Sequence, residues 1–260
     1  MKFVAFLDVL GFKEIVLNNN HEDLVSIFKT NIHLNLQIAI ASGSYVQAEN
    51  TQGKKVLADF RKIKINSFVI SDSIILWTNS ATVLEFVYLI QTLQIFLAGT
   101  LVGGIPLRGG VSVGNLSVIG VEYSNDFIVN HKTIIGEGLV NAYKLEGLSD
   151  WSGCIIDEKV IKYLDNEVSN ACHGNFDLLN DMDVISIKSL IEKKFIVKYD
   201  VPYKGDLKKE HHVIDWRPIA PGCTEESIRS FFESHRKKIE SEGVIKKIQN
   251  TMHFVKFNSK

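Results

Sequence analysis

Lys2-Phe3-Val4-Ala5-Phe6-Leu7-Asp8-Val9-Leu10-Gly11-Phe12 is an almost unbroken apolar run holding one carboxylate. Residues 2–7 read as a strand buried on both faces, ending at Asp8. Gly11 then opens a helical pattern through Phe12, Ile15 and Val16, which Asn18-Asn19-Asn20 breaks. A carboxylate at the end of a buried strand, just before a helix start, lies beside backbone N–H groups without partners, and these can cradle phosphate. Asp is also a favoured helix cap, so Asp8 alone is open to either reading.

Working outward, a second helix is expected over residues 22–41, with Leu24, Ile27, Phe28, Ile32 and Leu36 on one stripe. Residues 42–61 are polar and read as a loop or an inserted flap. Residues 63–70 and 74–78 are strand candidates joined by Ser71-Asp72-Ser73, which suits a hairpin. Residues 81–104 form the most apolar stretch, long enough to test as a membrane span. Glu85, Gln91 and Gln94 are costly in lipid, so a helix lying on a sheet is expected instead. Residues 106–114 and 116–121 read as a second hairpin turning at Gly114-Asn115. A short helix over 139–148 and a strand over 153–156 follow. Beyond about residue 165 the pattern changes. Residues 195–199 and 212–216 are strand-like, 224–242 reads as a helix capped by Thr224, and a last helix runs from 244 towards 253. The expected fold is α+β: a ferredoxin-like core with a mostly antiparallel sheet and flanking helices, plus a C-terminal extension. The division expected is a core over 1–160 and an extension over 161–260 that packs on it.

The 260 residues carry 29 Lys and Arg against 30 Asp and Glu, 45% hydrophobic and 23% charged. That is too apolar for a disordered chain, and a balanced charge argues against a general nucleic-acid coater. Cys154, Cys172 and Cys223 are far apart with no CxxC pair, so a disulfide framework or structural zinc is not expected and a reducing cytoplasm is. The first residues lack the pattern of a secretory leader. His173, His211 and His212 suit satisfied surface groups better than a metal site. The basic run Arg229 to Lys238 is balanced by Glu233, Glu240 and Glu242 and reads as a solvated face.

Four positions carry chemistry. Asp72, in a tight turn between apolar strands, is an ordinary turn residue by itself. Were its strands neighbours of the first strand, Asp8 and Asp72 would share one sheet edge. Two carboxylates about 4 Å apart repel by roughly 4 kcal/mol at an effective dielectric of 20, and such a pair calls for a cation. Oxygen-only ligation suits Mg²⁺ or Mn²⁺, completed by waters and phosphates. Arg108, in Pro106-Leu107-Arg108-Gly109-Gly110-Val111-Ser112-Val113-Gly114, could grip phosphate or merely pair with an acid. Lys144, in Gly136-Glu137-Gly138-Leu139-Val140-Asn141-Ala142-Tyr143-Lys144-Leu145-Glu146, could neutralise a developing phosphate charge or simply face water.

Taken in order, these segments resemble the class III adenylate/guanylate cyclase catalytic domain over roughly residues 2–157. Phe6 to Phe12 resembles its opening strand, first metal-binding Asp and phosphate loop; Ser71-Asp72 resembles its Gly-Asp hairpin with the second metal Asp. Arg108 to Gly114 resembles its Arg-x-Gly-x-x-x-Gly strand, and Gly136 to Glu146 its catalytic helix. The resemblance implies two Mn²⁺ or Mg²⁺ ions held by Asp8, the carbonyl of Val9, and Asp72. Catalytic residues would be Asp8, Asp72 and Lys144; substrate would meet Leu7, Gly11, Phe12, Phe68, Ser71, Arg108 and Asn141. The ribose 3′-oxygen of a nucleoside triphosphate would attack the α-phosphate and release pyrophosphate, in a homodimer with sites built from both subunits.

The departures sharpen the expectation. Where the family's purine cyclases carry Lys or Glu for base reading, four residues before the second metal Asp, this chain has Phe68. The partner base-reading position falls on Ile134 or Ile135, and the family's Asn falls on Val140, with Asn141 shifted by one. The chain is therefore most similar to the stand-alone pyrimidine cyclases of bacterial antiphage signalling, making cyclic UMP, or cyclic CMP second, read by a separate effector. A purine cyclase and an inactive nucleotide-binding module of cyclase fold stand as alternatives.

Overall fold

A computed structural model describes residues 1–42, 45–50, 53–124, 128–173 and 187–257. In chain order the elements are β1 (Lys2–Val9), α1 (Phe12–Asn18), α2 (His21–Phe28), α3 (Asn35–Ile40), β2 (Tyr45–Asn50), β3 (Gly53–Ala58), β4 (Asn66–Ile70), β5 (Ser73–Trp77) and α4 (Val83–Val102). Then come β6 (Leu107–Gly114), β7 (Ser117–Ser124), β8 (Ile128–Ile135), α5 (Glu137–Leu148), β9 (Gly153–Ile156) and α6 (Glu158–His173). α7 (Ile187–Glu192), β10 (Ile196–Pro202), β11 (Lys208–Ile214), α8 (Glu225–Glu233) and α9 (Glu242–Lys256) complete the described chain.

Seven strands form one sheet in the order β10-β11-β9-β6-β1-β5-β4. Among the described residues, its only parallel pair is β6 with β9. The subset β6-β1-β5-β4, joined by helices after β1 and β5, is the ferredoxin-like arrangement that the sequence pattern led us to expect. Period-two alternation divides β1. Phe3, Ala5, Leu7 and Val9 enter the main core with α4, where Phe3 meets Phe86 at 5.0 Å between ring centroids. Val4 joins a smaller cluster on the opposite face, with Ile75, Trp77 and Leu116 and with Phe6 and Phe68 packed against it. Asp8, two residues beyond Phe6, falls on that second face by the same alternation.

α5 covers the second face over β6. A Cβ at Gly110 would lie 2.6 Å from the carbonyl oxygen of Ala142, so this glycine is what lets helix and strand backbones meet. α4 is long and apolar enough to cross a membrane, but it lies under the sheet, with most of its apolar side chains buried. Its polar residues have work inside the protein: Gln94 donates to the carbonyls of Lys194 (2.8 Å) and Asp215 (2.6 Å).

Four expectations are corrected. The helix over 22–41 is interrupted by a wide π turn, Lys29–Leu34. There the Asn31 and Asn35 side chains donate back to the carbonyls of Ile27 (3.1 Å) and Asn31 (2.9 Å), inserting into the helix ladder. Within the stretch read as a loop or flap, Tyr45–Asn50 and Gly53–Ala58 pair as antiparallel strands, β2 with β3. Residues 106–121 do not form a hairpin. β6 belongs to the large sheet, while β7 pairs with β8 in a sheet of its own, because the chain after Gly114 turns aside and the Asn115 carbonyl accepts from Gly138 N–H (3.3 Å) at the start of α5. Finally, the helix from Thr224 stops at Glu233, and a separately capped helix begins after Ser241.

Residues beyond 187 share the main core. Phe254 of α9 stacks edge-on against Trp151 (4.6 Å) and Tyr199 (4.9 Å), and Trp216 lies 5.7 Å away. Between α8 and α9 one cation is taken inside: Lys237 is 8% exposed, and burial pushes its ammonium down to about 7 from 10.5. Between those two values the unfolded chain binds one more proton than the folded one, so this group makes stability rise with pH from about 7 to about 10. Urea unfolding at pH 7 and pH 9 checks this: Lys237→Met is expected to gain less stability across that interval than the unsubstituted protein.

Candidate active site

The condition on Asp8 and Asp72 is met by strand pairing. β1 lies directly beside β5, with Asp8 opposite Ser73, and the turn Ser71-Asp72 closes the β4–β5 hairpin immediately beyond. Ser71 takes the left-handed backbone that a two-residue turn demands (φ 55). Val9 N–H donates to the Asp72 carbonyl at 3.0 Å, pinning the turn to the end of β1. The Asp8 carboxyl feels the Asp72 charge. Burial, foremost, lifts the Asp8 carboxyl above its ordinary value, and the Asp72 charge lifts it further, against the pull of Arg108 and Lys204.

Arg108 is opposite Asp8 on the other side of β1. Its Nη2 lies 3.3 Å from Asp8 Oδ2, its Nη1 donates to the Ser149 carbonyl at 3.4 Å, and its Nε contacts the Glu146 carboxylate. The guanidinium therefore bridges two acids, with Arg108 16%, Asp8 22% and Glu146 5% exposed. Of the two expectations for Arg108, the structure shows the pairing with acids. Burial also raises the Glu146 carboxyl, with Asp8 adding to it and Arg108 and Lys204 opposing.

Glu146 is the participant that the sequence reading passed over. A signal existed: Gly138, Ala142 and Glu146 recur every four residues, two small residues and an acid on one helix face, and all three are buried. Lys204, whose charge reaches both carboxyls, carried no such signal, since it arrives in the β10–β11 turn from far along the chain.

The other expected residues are distributed unevenly. Leu7 is fully buried in the main core and Val9 nearly so, leaving only their backbones for a ligand. Gly11 is left-handed (φ 79) and exposed, and Phe12 packs edge-on against Phe28 at 5.8 Å. Phe68 is half-buried on the Asp8 face, beside Val4, Ile75 and Trp77. Asn141 Nδ2 is buried without a hydrogen-bond partner. Lys144 is exposed, two helical positions round from the buried Ala142, and does not figure among the charges acting on Asp8. Within one chain, then, Asp8, Asp72, Arg108 and Glu146 come together, and Lys144 is exposed to solvent.

Asp8 and Asp72 fit a hard divalent cation: two carboxylates, with the Val9 carbonyl adjoining, and no sulfur or imidazole. Among the described residues no three His, Cys, Asp or Glu side chains form a complete metal cage. An open two-carboxylate site of this kind suits Mg²⁺ or Mn²⁺, which keep waters and substrate phosphates as ligands.

No family model and no curated protein matches the chain. Among solved structures it is similar to the catalytic core of a rhodopsin-guanylyl cyclase with converted specificity in complex with ATPαS (TM-score 0.45, 14% identity, 82% of this chain and 94% of that one). It is similar too to the guanylate cyclase domain of RhGC from Catenaria anguillulae in complex with GTP (0.43, 15%, 82% and 94%) and to a bacterial light-regulated adenylyl cyclase (0.43, 12%, 90% and 97%).

Breaking the buried pair from the Glu146 side leaves Arg108 uncompensated there. Glu146→Ala is expected to cost about 3 kcal/mol in urea unfolding, in line with removal of one partner of a buried ion pair.

Proposed function

We propose that the protein is a nucleotidyl cyclase that converts a pyrimidine nucleoside triphosphate, UTP foremost and CTP second, to its 3′,5′-cyclic monophosphate plus pyrophosphate. The observation that carries this reading is the meeting of Asp8 and Asp72 at one sheet edge, with the Asp8 carboxyl raised by burial and by its neighbour. Two Mg²⁺ or Mn²⁺ ions bound there would neutralise the triphosphate and acidify the ribose 3′-hydroxyl. The 3′-oxygen attacks the α-phosphorus, its proton leaves to solvent, and the bond to pyrophosphate breaks. Asp8 would help hold the cation, and Arg108, kept in place by Glu146, would then offer its Nη2 side to phosphate oxygens. Half-buried Phe68, in an apolar cluster on the Asp8 face, supports a base pocket narrowed toward a pyrimidine and without purine-reading charges. We further propose that the product is a second messenger of bacterial antiphage defence, read by a separate cyclic-nucleotide-sensing effector in the cytoplasm.

Incubating the protein with Mn²⁺ and all four triphosphates, with products read by mass spectrometry, tests the reaction. Cyclic UMP or cyclic CMP is expected, and Asp72→Ala should lower the rate by about 100-fold or more. Exclusive ATP or GTP turnover would transfer the reading to a purine cyclase. The Arg108–Asp8 contact favours one second reading, a nucleotide-binding module without turnover, which calorimetric triphosphate binding with no product under any metal would establish.

Lys144 enters this reading from a second subunit. The exposed apolar residues Val140 and Tyr143 on α5 and Ile70 beside the Asp72 turn are surface that a homodimer would cover. Mixing the inactive variants Asp72→Ala and Lys144→Ala should then restore roughly a quarter of the wild-type rate, because half the dimers are mixed and each has one intact site. A mixture as inactive as its components would remove Lys144 from the composite site.

A further inference from the structure

The loop at the end of β1, which the proposed function uses at its front, is held from behind by residues 234–238. After α8 the chain takes two successive left-handed residues, His235 (φ 58) and Arg236 (φ 59), a conformation that side-chain-bearing residues avoid. Tertiary bonds enforce it. Asn19 and Asn18 donate side-chain N–H groups to the carbonyls of His235 (2.8 Å) and Arg236 (3.0 Å), and His235 Nε2 lies 2.7 Å from the Gly103 carbonyl. The consequence of that backbone is the burial of Lys237. Its ammonium donates to two carbonyl oxygens, those of Gly104 and, at 3.3 Å, Phe231.

Two glycine corners close on this segment. Gly11 is left-handed, and a Cβ there would lie 2.9 Å from Lys237 Cδ. Gly104 is left-handed too (φ 77), and a Cβ there would lie 2.4 Å from Ser234 Cβ. The corners are tied to each other, since Leu10 N–H donates to the Pro106 carbonyl at 2.9 Å. A continuous line of contacts thus runs from Lys237 through Gly104 and Pro106 to Leu10, next to Val9 and Asp8. An apolar side chain would fill this space without desolvating a cation, so packing alone does not call for lysine here.

We propose that Lys237 is a positioning residue that sets the Val9–Gly11 loop, and through it the binding of metal and triphosphate, from the C-terminal part of the chain. This rests on the cyclase reading of Asp8, Val9 and Asp72. The residue touches neither metal nor substrate; it acts through the Gly104 carbonyl and the Gly11 corner. The C-terminal hundred residues thereby become part of the site's construction.

The test uses the full chain with Lys237→Met, which keeps the length of the stem and removes the amine. Three readouts are compared with the unsubstituted protein: Mn²⁺ affinity by calorimetry, hydrogen exchange at the Leu10 amide, and steady-state kinetics. Lys237→Met is expected to exchange Leu10 faster, to bind Mn²⁺ about 10-fold more weakly, and to raise KM for the metal–triphosphate about 10-fold with kcat changed far less. Lys237→Arg, which keeps a cation, should recover part of the loss. Unaltered Mn²⁺ affinity and KM in folded Lys237→Met overturn the proposal, as does a fall in kcat alone. Should Lys237→Met not fold, Asn19→Ala, which loosens the segment from outside, bears the same comparison with the same outcomes. If the unsubstituted protein turns over no triphosphate, the cyclase reading fails separately, and Mn²⁺ affinity with Leu10 exchange still decides the role of Lys237.

Discussion

The antiparallel pairing of β1 between β5 and β6 is the constraint on which the rest depends. The apolar pattern of β1 fixes its register, and that register sets Asp8 against Ser73 on one side and Arg108 on the other. A slip of one residue would turn Leu7 out of the core and Asp8 into it. Burial of Phe3, Ala5, Leu7 and Val9 under α4 therefore determines where the carboxylate emerges. The hydrophobic core and the candidate chemistry are specified by the same alternation.

Around that register the charges are balanced closely. A guanidinium shared between Asp8 and a nearly buried Glu146 offsets part of the desolvation of all three groups, and the carbonyl of Ser149 takes one more of its N–H groups. Burial and mutual repulsion lift the carboxyls, and Arg108 and Lys204 oppose that lift. An acid cluster of this kind suits an added cation, because the charge of Asp72 acts against that of Asp8.

Much of this was legible before any coordinates. The apolar run ending in Asp8, the turn at Ser71-Asp72 and the glycines after Arg108 are local patterns, and each sits where the pattern implies. Other expectations met a competing force. The hairpin over 106–121 failed because Gly114-Asn115 turns toward α5, a contact with a segment more than twenty residues on. The helix over 224–242 failed because Asn18 and Asn19, at the end of α1, capture the Arg236 and His235 carbonyls, outweighing helix propensity. Glu146 was readable in principle from its four-residue spacing with Gly138 and Ala142, whereas Lys204 and Lys237 were not.

The sequence by itself determined where β1, β4, β5, β6 and β9 lie, that Asp8 ends a buried strand and that Asp72 sits in a tight turn, because periodicity and turn chemistry act over a few residues. Only the tertiary structure decided that Arg108 is held by acids and that Lys237 lies behind the Gly11 loop. Those facts depend on groups about 40 and 230 residues apart in the chain meeting in a dry interior, where desolvation and hydrogen bonding select partners that no local pattern encodes.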